Sequence, residues 1–427
     1  MDLFIIASIL IVLSAIFGYI NVKFLKLPNT IGLMIVAILF TIGLFLTSLV
    51  NPALLNLAER LIGQIDFKTV LLDVMLGFLL FAGAMHTNFE QLKVQRGPIL
   101  IFATVGVLTS TFLVGAMSYY LFNTLGHEVA FIHCLLFGAL ISPTDPIAVL
   151  GIMKKAGVPK KLETKIVGES LFNDGVGVVI FLTIFTIASG ETGGDHGGSS
   201  FNSILTLFGQ EVFGGIVFGG ILGWITFKLL KSIDDYEIEV MITLACVMGG
   251  YVFAHYLHLS APLAIVVAGL IVGNDTVRDN AMSDITEQFV DKFWELVDIL
   301  LNALLFVLIG LELLVLTFEM SFLIAGLISI VLVLIARYLS LFIPVKFFSK
   351  RLDFLPHTST IMTWGGLRGG ISIALALSLT DEMNRDLFLT VTYVVVVFSI
   401  IVQGLSIGNL ATRLLGKENM IVSEDGH

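Results

Sequence analysis

Gly168-Glu169-Ser170-Leu171-Phe172-Asn173-Asp174-Gly175 sets two acids, an amide and a hydroxyl inside an apolar run that extends from Ile166 to Ser189. A helix of that length crosses the ~30 Å hydrocarbon core of a bilayer. An ionised carboxylate near the bilayer centre costs at least ~3 kcal/mol, so two in one span point to an ion path.

The rest of the chain supports a membrane reading. Of its 427 residues 57% are hydrophobic and 13% charged, and the mean hydropathy is +1.00, against roughly 25% charged residues in soluble domains. The apolar runs have the ~20-residue length of spanning helices and not the ~10-residue alternation of a β-barrel. An all-α polytopic membrane protein is therefore expected. The first run starts at Leu3 without a basic stretch or a cleavage site, so it reads as a retained span. Cys134 and Cys246 lie in apolar runs and read as packing residues. The net charge of −10 sits in loops and tail, and no basic run suggests nucleic acid.

Polar breaks divide the chain into spans near Leu3–Ile20, Ile31–Val50, Val70–Ala84, Leu100–Phe122, Ala130–Met153, Ile166–Ser189 and Ile204–Leu230. The second set runs near Val240–Tyr256, Pro262–Val272, Leu296–Thr317, Phe322–Ile343, Thr358–Leu379 and Phe388–Leu410. Lys and Arg concentrate on the cytoplasmic side of membrane proteins. Alternating the loops puts nearly all of them on one side, leaving only Arg60, Lys68 and Arg385 opposite and Arg337 and Arg368 within spans. That pattern predicts thirteen spans with the N-terminus outside, the C-terminus cytoplasmic, one transporter domain over 1–412 and a short tail over 413–427.

Thirteen spans divide as six, one and six, the layout of inverted repeats joined by a linking helix. Helix breakers fall at matching places. The fifth span of the first half carries Ser142-Pro143-Thr144-Asp145-Pro146; the fifth of the second half, span twelve, carries Trp364-Gly365-Gly366-Leu367-Arg368-Gly369-Gly370. Elsewhere, Gly190–Ser200 reads as an external loop, Val277–Glu295 as an amphipathic surface helix before span ten, and Gly215, Gly219 and Gly223 as a helix-packing ridge.

Prolines 143 and 146 remove backbone donors, so the turn around Thr144 and Asp145 should open and leave carbonyls free for a cation. In span six, Ser170 pairs in spacing with Asp174 and Glu169 with Asn173. Asp145, Asp174, Thr144, Ser170 and main-chain oxygens would make an all-oxygen cage for a hard monovalent cation. Two neighbouring carboxylates repel when both are ionised, so a proton and a cation compete for them. Arg368 cannot deprotonate and needs a partner, for which Glu169 is the candidate, with Asn173 in the same network. A buried polar network that only ties helices together is the other reading of these residues. Asp73, Glu312 and Arg337 lie nearer span ends, where reaching to the interface suffices, although Arg337 stays a functional candidate. His133, His255 and His258 read as satisfied polar residues, and His127-Glu128 does not continue into an HExxH zinc motif.

Ser-Pro-Thr-Asp-Pro at 142–146, Gly-Glu-Ser-Leu-Phe-Asn-Asp-Gly at 168–175 and Gly-Gly-Leu-Arg-Gly-Gly-Ile-Ser at 365–372 together resemble the monovalent cation:proton antiporters of the NhaP and NHE type. The resemblance implies a homodimer in which helices 1–3 and 7–10 form a scaffold and helices 4–6 and 11–13 a moving core. It implies that Asp145 and Asp174 bind the cation and proton with Thr144 and Ser170, while Glu169, Asn173 and Arg368 brace the site. Asn173-Asp174, where electrogenic relatives have two aspartates, looks like the electroneutral branch exchanging one sodium for one proton. Relatives often carry a glutamate at the place of Ala82, which puts any accessory proton route there in doubt. The expectation is sodium/proton exchange in the cell membrane, without covalent chemistry or cofactor, with lithium as further cargo. Potassium/proton exchange, a sodium-coupled solute symporter and a cation channel are the alternatives.

Overall fold

The computed structural model describes residues 3–49, 51–62, 69–87, 89–145, 152–153, 156–189, 201–274, 278, 281–314, 316, 319–348, 354–355 and 357–416. Among these the chain is helix and connecting turn, with one isolated backbone bridge between Asp145 and Leu367. In chain order the described helices are α1 (Leu3–Ile20), α2 (Asn29–Ser48), α3 (Ala53–Ile62), α4 (Leu76–Met85), α5 (Phe89–Val94), α6 (Arg96–Ile101), α7 (Val107–Thr124), α8 (Phe131–Ile141) and α9 (Lys160–Ala188). They continue as α10 (Phe201–Leu230), α11 (Tyr236–Tyr256), α12 (Ala261–Val272), α13 (Asp284–Glu312), α14 (Met320–Phe348), α15 (Thr358–Gly365), α16 (Gly370–Leu377), α17 (Arg385–Phe398) and α18 (Gly404–Leu415). π-Helical turns at Thr69–Met75 and Ser399–Gln403 lead into α4 and join α17 to α18.

Nine stretches among the described residues are long and apolar enough to cross a membrane. Shorter apolar helices at Thr69–Met85, Phe131–Ile141 and Ala261–Val272 stand where the third, fifth and ninth spans are expected. The twelfth is split into α15 and α16 around Gly366–Gly369. Side chains settle the helix starts: Asp235 accepts from the N–H groups of Glu237 and Ile238 at 3.0 and 3.3 Å, and Ser260 caps α12, which has Pro262 in its first turn.

One expectation changes here. The amphipathic stretch ahead of span ten is not a separate surface helix. From Asp284 onward it is the first part of α13, one 29-residue helix opened by a capping box between Ser283 and Thr286. Hydropathy drops over 284–295, but no Gly or Pro interrupts the chain before Gly310, so nothing ends the helix. Loop 190–200 and residues 417–427 lie outside the described residues.

The glycine ridge does what its spacing suggests. A Cβ on Gly215 would lie 2.8 Å from the Ser260 carbonyl oxygen and one on Gly219 would run into the Ala264 backbone, so α10 packs directly on α12. Burial separates inside from outside: 72% of the apolar window over Arg385–Leu415 and 56% of that over Leu162–Ala188 is buried, against 22% over Gly209–Leu230. The acid-bearing α9 is thus an inner helix, and over Gly209–Leu230 α10 turns most of its surface outward. Cys134 and Cys246 are buried free thiols.

Candidate functional site

The α8 helix stops at Ile141 and Ser142, and α9 passes beside the opened turn that follows. Asn173 of α9 holds that turn at two points. Its Oδ1 accepts from the Thr144 N–H at 3.1 Å and its Nδ2 donates to Thr144 Oγ1 at 2.9 Å. Thr144 Oγ1 also lies 2.8 Å from Ser170 Oγ. Ser170, Asn173 and Asp174 stand at i, i+3 and i+4, on one face of α9, and one turn further the Pro143 ring occupies the space that a side chain on Gly177 would fill. The spacing pairs read from the sequence are therefore redistributed: Ser170 and Asn173 both serve Thr144.

The break in span twelve meets the break in span five. A continuous helix would send the Arg368 N–H to the Trp364 carbonyl; instead the N–H donates to Ser399 Oγ at 3.0 Å and the carbonyl accepts from Gln403 Nε2 at 3.0 Å. Both acceptor and donor come from the π-helical turn between α17 and α18, so each orphaned group is satisfied. The Leu367 carbonyl in turn accepts from the Asp145 N–H at 2.8 Å. A Cβ on Gly369 would lie 2.6 Å from Asp145 Oδ2, so only glycine lets the two breaks come this close.

Among the described residues Arg368 is held by main-chain carbonyls and not by a carboxylate. Its Nη1 donates to the carbonyls of Ser142 and Pro143, the latter at 2.9 Å. Ser142 has no helical donor because residue 146 is proline; Pro146 itself lies outside the described residues. These carbonyls, expected to face a cation, are held by a guanidinium at the C-terminal, electronegative end of α8.

Glu169 takes Arg337 instead of Arg368. Arg337 Nη1 and Nη2 donate to Glu169 Oε1 and Oε2 at 2.5 and 2.8 Å, a bidentate pair. Both side chains are buried, at 2% and 1% exposure. An eleventh span ending at Ile343, as hydropathy suggests, would leave Arg337 near a span end. The helix runs on to Phe348, which puts Arg337 deep enough to need a counter-charge. Glu312 is also buried rather than reaching outward, whereas Asp73 is exposed as expected.

Asp174 is buried and Asp145 half-buried, and their charges act on each other. The crossing thus gathers Thr144, Asp145, Ser170, Asn173, Asp174 and Arg368, with Glu169–Arg337 beside it. Ser399 and Gln403 were not singled out in the sequence, although two polar residues four apart in an apolar run mark one helix face.

A model of the family described as sodium/hydrogen exchanger, transmembrane, matches residues 11–413. The Na(+)/H(+) antiporter NhaP of Pseudomonas aeruginosa is 48% identical over 423 residues, covering 98% of each chain. NhaH of Halobacillus dabanensis, also a Na(+)/H(+) antiporter, is 36% identical, covering 92% of this chain and 93% of that one. Among solved structures, the sodium proton antiporter MjNhaP1 of Methanocaldococcus jannaschii superimposes with a TM-score of 0.75 at 22% identity, over 98% of this chain and 100% of that one, and so shares the fold. With its broken-helix crossing and these matches along almost its whole length, the chain belongs to the transmembrane sodium/hydrogen exchanger family.

Proposed function

We propose that this protein is a secondary-active sodium/proton antiporter that exchanges one sodium for one proton by alternating access, with Asp145 and Asp174 as the exchanging carboxylates. The observation that carries the reading is the charge arrangement at the crossing. Glu169 and Arg337 neutralise each other, and Arg368 is left against two carboxylates. Counted over these five side chains alone, one negative formal charge remains, and one monovalent cation or one proton cancels it. A loaded site then crosses the membrane without net charge, whereas the empty site is costly to move. Thr144 and Ser170 supply hydroxyl oxygens next to the carboxylates, and their mutual contact fixes both. Glu169, Asn173, Arg337 and Arg368 brace the frame.

The same proposal includes thirteen spans with the N-terminus outside, residence in the cell membrane, and a division into scaffold (spans 1–3 and 7–10) and core (spans 4–6 and 11–13) within a homodimer. The relatives' printed activity supports the cargo assignment. In proteoliposomes with an internal pH dye, external sodium or lithium should move internal pH, and clamping the voltage should leave the rate unchanged. A pH response to potassium and none to sodium would make the protein a potassium/proton exchanger. No response to any of the three cations would overturn antiport.

A further inference from the structure

Span ten carries a polar stripe that the crossing does not use. Asp291, Glu295, Asp298 and Asn302 follow one another at i, i+4, i+7 and i+11 of α13, within a narrow arc of the helix surface. The outer two are ion-paired: Asp291 with Arg278, and Glu295 with Lys292 at 2.8 Å. The inner two have no ion pair among the described residues. Asn302 Nδ2 donates to both the Asp298 carbonyl and Asp298 Oδ1, at 2.8 and 2.9 Å. Two oxygen acceptors on one side of the amide fix its orientation and direct its Oδ1 away. That oxygen is buried and has no hydrogen-bond partner among the described residues, which is costly unless something visits it.

The stripe leads to the crossing. Leu305, one turn beyond Asn302 on the same face, fills the space that a side chain on Gly370 would need, while Asp145 fills the space beside Gly369. The face bearing Asn302 and the Asp145 carboxylate therefore flank the same glycine pair. At the outer end α4 closes the other side. Trp294 of α13 packs on Phe81 with ring centroids 4.7 Å apart and donates to Thr243 Oγ1 of α11 at 3.0 Å. This places His86, the residue that ends α4, where it feels the charges of Asp298 and Glu295.

We propose that Asp298 and Asn302 form a transient cation-binding step on the path between the Ser283 end of α13 and the Asp145–Asp174 pair. Asp298 offers the first carboxylate of the stripe without an ion pair among the described residues to a partly hydrated monovalent cation, and Asn302 Oδ1 replaces one of its waters further in. The inference rests on the exchange reading above and assigns it an entry route on one membrane face. Desolvation holds the His86 pKa below the ordinary imidazole value, which favours its neutral form beside the step.

The test is exchange in proteoliposomes of known orientation, with sodium offered to one face at a time. Asp298→Asn keeps the shape and removes the charge. It should raise the apparent KM for sodium about fivefold from the face carrying Ser283 and leave KM from the other face and the maximal rate unchanged. Asn302→Leu should act in the same direction, and Asp298→Glu should restore the wild-type KM. A KM shift of equal size from both faces, a fall in maximal rate at constant KM, or no change would overturn the step. Each variant is scored as monodisperse protein; if Asn302→Leu aggregates, Asp298→Asn with its Glu rescue decides. A wild-type protein without exchange would instead sink the exchange reading itself.

Discussion

Two close approaches between helices in this molecule are built in opposite ways. At the α10–α12 ridge the backbones meet because side chains are missing: Gly215 and Gly219 sit against the Ser260 and Ala264 backbone inside uninterrupted helices. At the crossing the chains meet because helical hydrogen bonds are missing, and Asn173, Ser399, Gln403 and Arg368 supply the replacements. The ridge needs no polar partner and can stand on a helix at the outside of the bundle. The crossing survives only where neighbours satisfy the freed groups, since each buried backbone group left without a partner costs about 1–3 kcal/mol. The two meeting breaks thus lie in a buried part of the protein, with Ser142, Thr144, Leu367 and Arg368 all buried, where oxygens and carboxylates can meet an ion.

The largest expected effect is at the crossing. Asp174→Ala should abolish proton movement driven by sodium while the protein still elutes as a folded species; retained exchange would remove the central role of this carboxylate. Next comes the ion pair beside it. Arg337→Leu leaves Glu169 buried and uncompensated and should cost about 3–5 kcal/mol, read as a large drop in thermal midpoint. The double variant Arg337→Leu with Glu169→Leu should recover most of that loss, because it removes both charges together. If the double is as unstable as the single, the pair is not the source of the effect.

The ridge supplies the contrasting case. Gly219→Val inserts a side chain into the Ala264 backbone and should cost about 1–3 kcal/mol by overpacking, with exchange per folded molecule kept near wild type. A change that hits transport harder than stability would erase the distinction between the two contacts. The smallest effect is expected for Gln403→Met, which removes one donor from the Trp364 carbonyl and should cost about 1 kcal/mol in a thermal melt. A null result there would mean that water substitutes for the amide.

Much of the architecture is legible in the sequence. Apolar run length and breakers are local properties, so the order of spans, the interruptions at Ser142–Pro146 and Gly365–Gly370, and the packing role of Gly215, Gly219 and Gly223 follow from residues close in the chain. So does the polar face of α9, since i, i+3 and i+4 neighbours share a side of any helix. Span ends were less legible, because hydropathy marks where the chain turns polar and not where a helix stops; α13 starting at Asp284 and α14 ending at Phe348 both show this.

The amino-acid sequence by itself determined that the chain is a bundle of membrane helices with two broken ones and a set of acids, amide and hydroxyls spaced along one helix face between them. Only the tertiary structure decided who pairs with whom. Glu169 and Arg337 are 168 positions apart and Arg368 and Ser142 226, and both arginines satisfy the same sequence rule that a buried guanidinium needs a partner. Choosing between a carboxylate and a pair of proline-freed carbonyls depends on which helix faces are brought together, and spacing along one chain carries no information about that.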